Sequence, residues 1–356
     1  MKVNGQNFST LWIENEKVKI IDQTKLPFEF IIKELKTLKD FCRAIKNMEV
    51  RGAPLIGIAA AFGFALAIKK DASNKNVEFC YEKLLQTRPT AINLKWALNS
   101  ILKKIKAKTI SERASLSFKL AKQMRENDIV NCFKIGLHGF KIIEKLYKKR
   151  KKAINILTHC NAGWLATIDW GTALAPIFLA NRIGVPVHVW VDETRPRNQG
   201  ALLTAWELKN EKIPYTIIVD NAGGYLMQKK KVDICIVGSD RTISNGDVCN
   251  KIGTYLKALS AYDNNIPFYA ALPFSTIDFK TKKSENIPIE IRNGNELSHL
   301  LFNNNNKYSK GEIYFKNSKK YNPAFDVTPS KYITRLITEN GVIKPSKSDI
   351  LKHLKK

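Results

Sequence analysis

The sequence predicts an α/β protein: a parallel, helix-covered sheet in residues 127–356, preceded by a smaller domain of helices with a short β-sheet in residues 1–126. Three observations carry this. Short apolar runs such as Ile234–Val237 stop at glycine or at a polar loop, which is how strands buried on both faces read. These runs alternate with helical patterns through the second half of the chain. The distinctive polar residues, among them Cys160, Asp192, Gln199, Asp220, Asn221 and Asp240, fall just past the runs, at strand carboxyl ends, where open α/β sheets hold ligands.

The composition bounds the rest. The 356 residues, 44% of them hydrophobic, supply a core for one large or two medium domains. No apolar run reads as long enough to span a membrane; residues 53–68 come closest, and they are short and rich in Gly and Ala. The first residues lack the apolar stretch of a signal peptide, which makes a cytoplasmic protein the expectation. Cys42, Cys80, Cys132, Cys160, Cys235 and Cys249 form no C-x-x-C pair and read as reduced thiols. The five histidines lack metal-ligand spacing, so no metal is expected. The 59 Lys and Arg against 32 Asp and Glu give a net charge of +27. The lysines are dispersed through every helix, with short runs at 148–152 and 229–231, and no RNA-binding signature accompanies them. Such a surface predicts non-specific contacts and no specific nucleic-acid partner.

Taken in order, residues 11–33 place two apolar runs around Glu14-Asn15-Glu16, which predicts a β-hairpin. Helical periodicity then covers residues 37–47, 54–70, 77–86, 91–107 and 110–126. Pro54 suits a first helical turn, so the free N–H groups of that helix open beside Arg51; Arg88-Pro89-Thr90 likewise precedes a helix. An arginine so placed is a candidate phosphate clamp, against its ordinary reading as a surface side chain. A linking helix at 128–151 leads to strand 153–157, loop 158–163 and a helix through 180. Strand 187–191, loop 192–200 and a helix to 209 follow, then strand 215–219, loop 220–224 and a short helix. After the strand at Ile234 comes one more at 268–271, and an irregular region starts at 287. Alternation of this kind implies right-handed crossovers in a Rossmann-like sheet. No G-x-G-x-x-G follows any strand, so no dinucleotide cofactor is expected.

The stretch from Val232 to Gly253 is the most informative. Asp240 lies just past the end of an apolar strand, as a candidate acid. Asn245-Gly246 signals a turn, and Asp247 reads as the N-cap of a helix carrying Asn250 and Lys251 in its first turn, where free N–H groups favour a phosphate. The plainer alternative is a turn and a capped helix with no ligand.

At this point the motifs form a set. Arg51-Gly52-Ala53-Pro54, Arg88-Pro89-Thr90, Thr158-His159-Cys160-Asn161-Ala162-Gly163, Glu193-Thr194-Arg195-Pro196, Gln199-Gly200, Val237-Gly238-Ser239-Asp240-Arg241, Asn250-Lys251-Ile252-Gly253-Thr254 and the run from Asn322 to Pro329 occur in order. Together they resemble the methylthioribose-1-phosphate isomerase family, which is grouped with the regulatory subunits of translation initiation factor 2B and with ribose-1,5-bisphosphate isomerase. The resemblance implies Asp240 and Cys160 as the catalytic pair, with Asp240 the proton donor. It implies Arg51, Gly52, Ala53, Arg88, Gln199, Asn250 and Lys251 as substrate-binding residues, and a homodimer as the assembly. Leu202 stands where many relatives have Arg, and Ile291 where they have Glu.

The implied reaction turns an aldose 1-phosphate into a ketose 1-phosphate, in methionine salvage and biosynthesis. Such a substrate is locked as a ring, so its ring oxygen must be protonated before hydrogen moves from C2 to C1. A free aspartate, with a pKa of about 3.9, is ionised at neutral pH, so burial or a nearby anion has to raise Asp240 for that task. Cys160 serves the hydrogen transfer either as a thiolate taking the C2 proton or by stabilising charge in a hydride shift; its plain alternative is a buried, inert thiol. The phosphate is a sufficient handle, so neither cofactor nor metal is required. The alternatives are 5-deoxyribose 1-phosphate or ribose 1,5-bisphosphate as substrate, or a non-catalytic regulatory protein.

Overall fold

The computed structural model describes residues 1–304 and 307–354. Leu11–Glu14, Lys17–Ile21 and Ile32–Leu35 pair antiparallel, with Leu11 opposite Ile20 and Val18 opposite Leu35. The expected hairpin is there, extended by a third strand. Thr37 and Asp40 form a reciprocal capping box that starts the helix Leu38–Lys46. The helix Ala53–Lys70, with Pro54 in its first turn, is apolar all round and packs inside the helices Asn74–Leu85 and Ile92–Ile105. Its 18 residues are long and apolar enough to cross a membrane, contrary to the sequence reading of that stretch as too short; 83% of it is buried in the protein, as befits a core helix.

The sequence reading divides residues 110–151 between two helices. They form one, Ile110–Arg150, opened by a Thr109–Glu112 capping box and closed by Lys151 in the left-handed region. Neither Gly nor Pro interrupts residues 126–128, and Asp128 does not cap a new helix: its carboxylate accepts the Ile168 N–H at 2.8 Å. The expected division at 126/127 therefore falls inside a continuous helix. Leu120 and Ala121 from this helix enter the N-terminal core, and Ile135 and Ile143 enter the core beside the large sheet.

That sheet has seven strands. In spatial order they are Gly341–Ile343, Arg335–Thr338, Phe268–Ala271, Ile234–Val237, Ile154–Thr158, Val187–Asp192 and Tyr215–Ile218. All neighbours are parallel except the first pair. Chain order reverses between Ile154–Thr158 and Ile234–Val237, which pair with Leu157 opposite Cys235. This is the doubly wound order, and the reversal opens a crevice at the strands' carboxyl ends. Arg335–Thr338 and Gly341–Ile343 were not expected from sequence.

Val248–Lys251 departs from the sequence reading. It is not a first helical turn but a strand, antiparallel to Arg241–Ile243 on one side and to Phe325–Thr328 on the other. Two flanking ladders satisfy its backbone, and all four of its side chains are buried. Asn245-Gly246 does turn the chain, but Asp247 accepts from Asn245 Nδ2 at 2.7 Å and from the Ser330 N–H at 2.7 Å instead of capping a helix. The helix begins later, as Thr254–Asp263. Its N-terminus receives the chain's own Asp326, whose oxygens accept the Gly253 N–H at 2.7 Å and the Tyr255 N–H at 3.1 Å, so no phosphate is needed there.

Candidate functional site

The reversal of strand order puts Cys160 and Asp240 on neighbouring strand-end loops, Cys160 two residues beyond Thr158 and Asp240 three beyond Val237 on the adjacent strand. Both line one cavity. Arg51, Gly52, Ala53, Arg88, Gln199, Asn250 and Lys251 line the same cavity, so every site residue expected from sequence is brought together. Met48, Asn161, Ser239, Arg292 and Phe325 line it as well. The cavity therefore lies between the N-terminal helices and the sheet, with the small antiparallel sheet supplying Asn250 and Lys251.

Cys160 is buried and adopts a left-handed conformation at φ 67°, which a non-glycine residue holds only under constraint. Thr194 Oγ1 accepts its N–H at 2.8 Å, and Thr204 Oγ1 donates to its carbonyl at 2.8 Å. Asp220 fixes that support, accepting the N–H groups of Thr194 at 2.8 Å and Arg195 at 2.7 Å. Asp240 is half-buried, and its N–H donates to the Cys249 carbonyl at 3.0 Å, which ties the loop to the small sheet.

Four cationic side chains surround this pair. Arg51 enters from the turn before its helix, where Gly52 at φ 95° lets the backbone reach Ala166; a Cβ there would lie 2.4 Å from the Ala166 carbonyl oxygen. Arg88 pairs with Glu290 at 3.1 Å, and Arg292 holds the other oxygen of Glu290 at 3.1 Å. Lys251 donates to the Ala324 carbonyl at 2.9 Å and lies 4.6 Å above the Phe325 ring. Burial pushes Lys251 down to about 8, helped by the Arg292 and Arg51 charges and opposed by Cys160 and Asp240. Burial also lowers Arg88, with Glu290 opposing it. Burial alone would raise Glu290, but the Arg88 and Arg292 guanidiniums hold it below the usual carboxylate range. Buried Arg88 Nε and Gln199 Oε1 have no hydrogen-bond partner among the described residues. An excess of positive charge with buried polar atoms to spare suits an anion carrying hydroxyl groups.

Arg292 was missed as a site residue. It follows Ile291, whose bridge to Pro323 is an isolated contact in an irregular stretch, and no periodicity marks it. Leu202 lines an adjoining cavity together with Met48, Arg51 and Gln199, whereas Ile291 is exposed and lies off both. Beneath Cys160, His159 Nδ1 lies 2.8 Å from Asp192 Oδ2 and Nε2 lies 2.8 Å from the Ile252 carbonyl. His159, Asp192 and Asp220 are close enough to share a metal ion, but Lys257 already supplies a cation there, 3.2 Å from Asp192 Oδ2 and bonded to the Asp220 carbonyl.

Residues 49–345 match the initiation factor 2 subunit family. A protein of Escherichia coli O45:K1 (strain S88 / ExPEC) named methylthioribose-1-phosphate isomerase is 52% identical, over 98% of this chain and 95% of its own length. The crystal structure of 5-methylthioribose 1-phosphate isomerase from Pyrococcus horikoshii OT3 superposes with a TM-score of 0.84 at 38% identity, covering 98% of this chain and 96% of that one. The structure from A. fulgidus described as translation initiation factor eIF-2B, subunit delta, gives a TM-score of 0.79 at 36% identity, covering 98% of this chain and all of that one.

Proposed function

The chain belongs to the initiation factor 2 subunit family, on its methylthioribose-1-phosphate isomerase branch, and is an isomerase; from that premise we propose that it converts 5-methylthioribose 1-phosphate to 5-methylthioribulose 1-phosphate in methionine salvage. The observation that carries this reading is the single cavity into which Asp240, Cys160 and the cations Arg51, Arg88, Lys251 and Arg292 converge. The cations hold the 1-phosphate, and Gln199 and Asn250 meet the hydroxyls. Asp240, as the carboxylic acid, protonates the ring oxygen, and the bond from that oxygen to C1 breaks. Hydrogen then passes from C2 to C1 with Cys160 beside it, and loss of the 2-hydroxyl proton leaves the ketone. The proton given by Asp240 is balanced by the one lost from the hydroxyl, so no net proton is consumed.

A steady-state assay of the purified protein with 5-methylthioribose 1-phosphate, 5-deoxyribose 1-phosphate and ribose 1,5-bisphosphate tests the substrate. The first is expected to have the highest kcat/KM; a preference for either of the others contradicts the assignment and turns attention to Leu202. We also propose a cytoplasmic homodimer. Leu256 and Tyr262, exposed on the helix Thr254–Asp263, support an interface there, and light scattering at monomer mass would refute it.

A further inference from the structure

Arg51 differs from the other guanidiniums of the cavity in what holds it. Arg88 and Arg292 share the carboxylate of Glu290. Arg51 instead donates to uncharged oxygens of one residue, the side-chain Oδ1 of Asn161 and, at 2.7 Å, its backbone carbonyl. This leaves the Asn161 amide a single orientation. Its oxygen faces Arg51, and its nitrogen faces Glu207 Oε1 at 2.7 Å and Thr204 Oγ1 at 3.2 Å. Glu207 is fully buried, and its Oε2 also accepts the Trp164 N–H at 2.9 Å, while Oε1 accepts that of Leu165 at 3.2 Å. The backbone passes so close that a Cβ at Gly163 would lie 1.8 Å from Glu207 Oε2. Glu207 thus ties the whole 161–165 segment to the helix Ala205–Asn210, directly after the π-helical segment Gly200–Thr204.

We propose that Glu207 is a positioning residue for the phosphate clamp, acting through Asn161 to aim Arg51 while leaving the guanidinium charge unneutralised. The proposal rests on the reading above that Arg51 binds the substrate phosphate. A carboxylate in direct contact with Arg51 would compete with phosphate for the same fork of N–H groups. Set back behind an amide, it fixes the fork's direction and leaves the remaining donors to the anion. The π-helical segment sets the geometry. It brings Thr204 to the Cys160 carbonyl and Glu207 to Asn161, so one helix edge supports both the thiol loop and the clamp. Such widened turns recur at functional sites.

Glu207→Gln preserves shape but turns an amide N–H2 toward at least one of the three donors it now accepts. The inhibition constant for inorganic phosphate and the KM for the sugar phosphate are each expected to rise about tenfold, with kcat changed less than about twofold. In an Arg51→Ala background the same substitution is expected to add less than about twofold, because its effect passes through Arg51. Asn161→Ala, which cuts the relay in the middle, is expected to behave alike and serves if the first variant proves unstable. Equal penalties in both backgrounds, or unchanged phosphate constants in the folded variants, overturn the proposal. Arg51→Ala with wild-type phosphate constants overturns the reading of Arg51 itself, and this proposal with it.

Discussion

Lys251 titrates where the proposed reaction runs. Burial, with Arg292 and Arg51 adding to it, pushes its ammonium down to about 8, and a phosphate dianion beside it favours the charged form. Substrate binding above that pH therefore needs proton uptake, so kcat/KM is expected to fall as pH rises through about 8. Lys251→Arg, whose charge persists far above this range, is expected to move that alkaline limb upward whatever it costs in rate. A pH profile whose alkaline limb is the same in the variant contradicts the assignment. Burial pushes the Cys249 thiol, in the core of the small sheet, up to about 12.

At the scale of elements, Asp326 is the N-terminal anion of the helix Thr254–Asp263. Asp326→Ala, which removes the acceptor that serves this terminus in place of a cap, is expected to cost about 0.5–2 kcal/mol in a denaturant titration, the range for a lost capping side chain; an unchanged midpoint would show that the contact contributes nothing. The strands Ile154–Thr158, Val187–Asp192 and Ile234–Val237 were legible because runs buried on both faces look alike anywhere, and so were the loops that gather Cys160, Gln199 and Asp240. Val248–Lys251 was not. Asn245-Gly246-Asp247 signals a turn before a hairpin as readily as before a helix, and the deciding partner, Phe325–Thr328, lies more than seventy residues away. Arg335–Thr338 was lost for a related reason: it follows an irregular stretch, and its place in the sheet depends on pairing with Phe268–Ala271 on one side and Gly341–Ile343 on the other. Arg292 reaches the cavity through ion pairs with Glu290, a tertiary fact without a local pattern.

The whole molecule is joined by its longest helix and its site. Ile110–Arg150 contributes to both cores, and Arg51–Asn161, Arg88–Glu290 and Asn93–Ser275 bond the N-terminal helices to the sheet side. Thermal unfolding is therefore expected as one cooperative transition, followed by far-UV circular dichroism and by intrinsic fluorescence; two separated transitions would show that the halves fold independently. The net charge of +27 is spread over this surface, so any retention of nucleic acid is expected to collapse between 50 and 200 mM salt. The central claim, that Asp240 and Cys160 perform an isomerisation on a substrate held by its phosphate, is tested most directly by the turnover of 5-methylthioribose 1-phosphate by wild type, Asp240→Asn and Cys160→Ser, with inorganic phosphate inhibition or binding measured on each. The account predicts efficient turnover by the wild type and a loss of about a hundredfold or more in kcat for each variant, with phosphate affinity retained. Near wild-type kcat in either folded variant, or no turnover by the folded wild type, would contradict it.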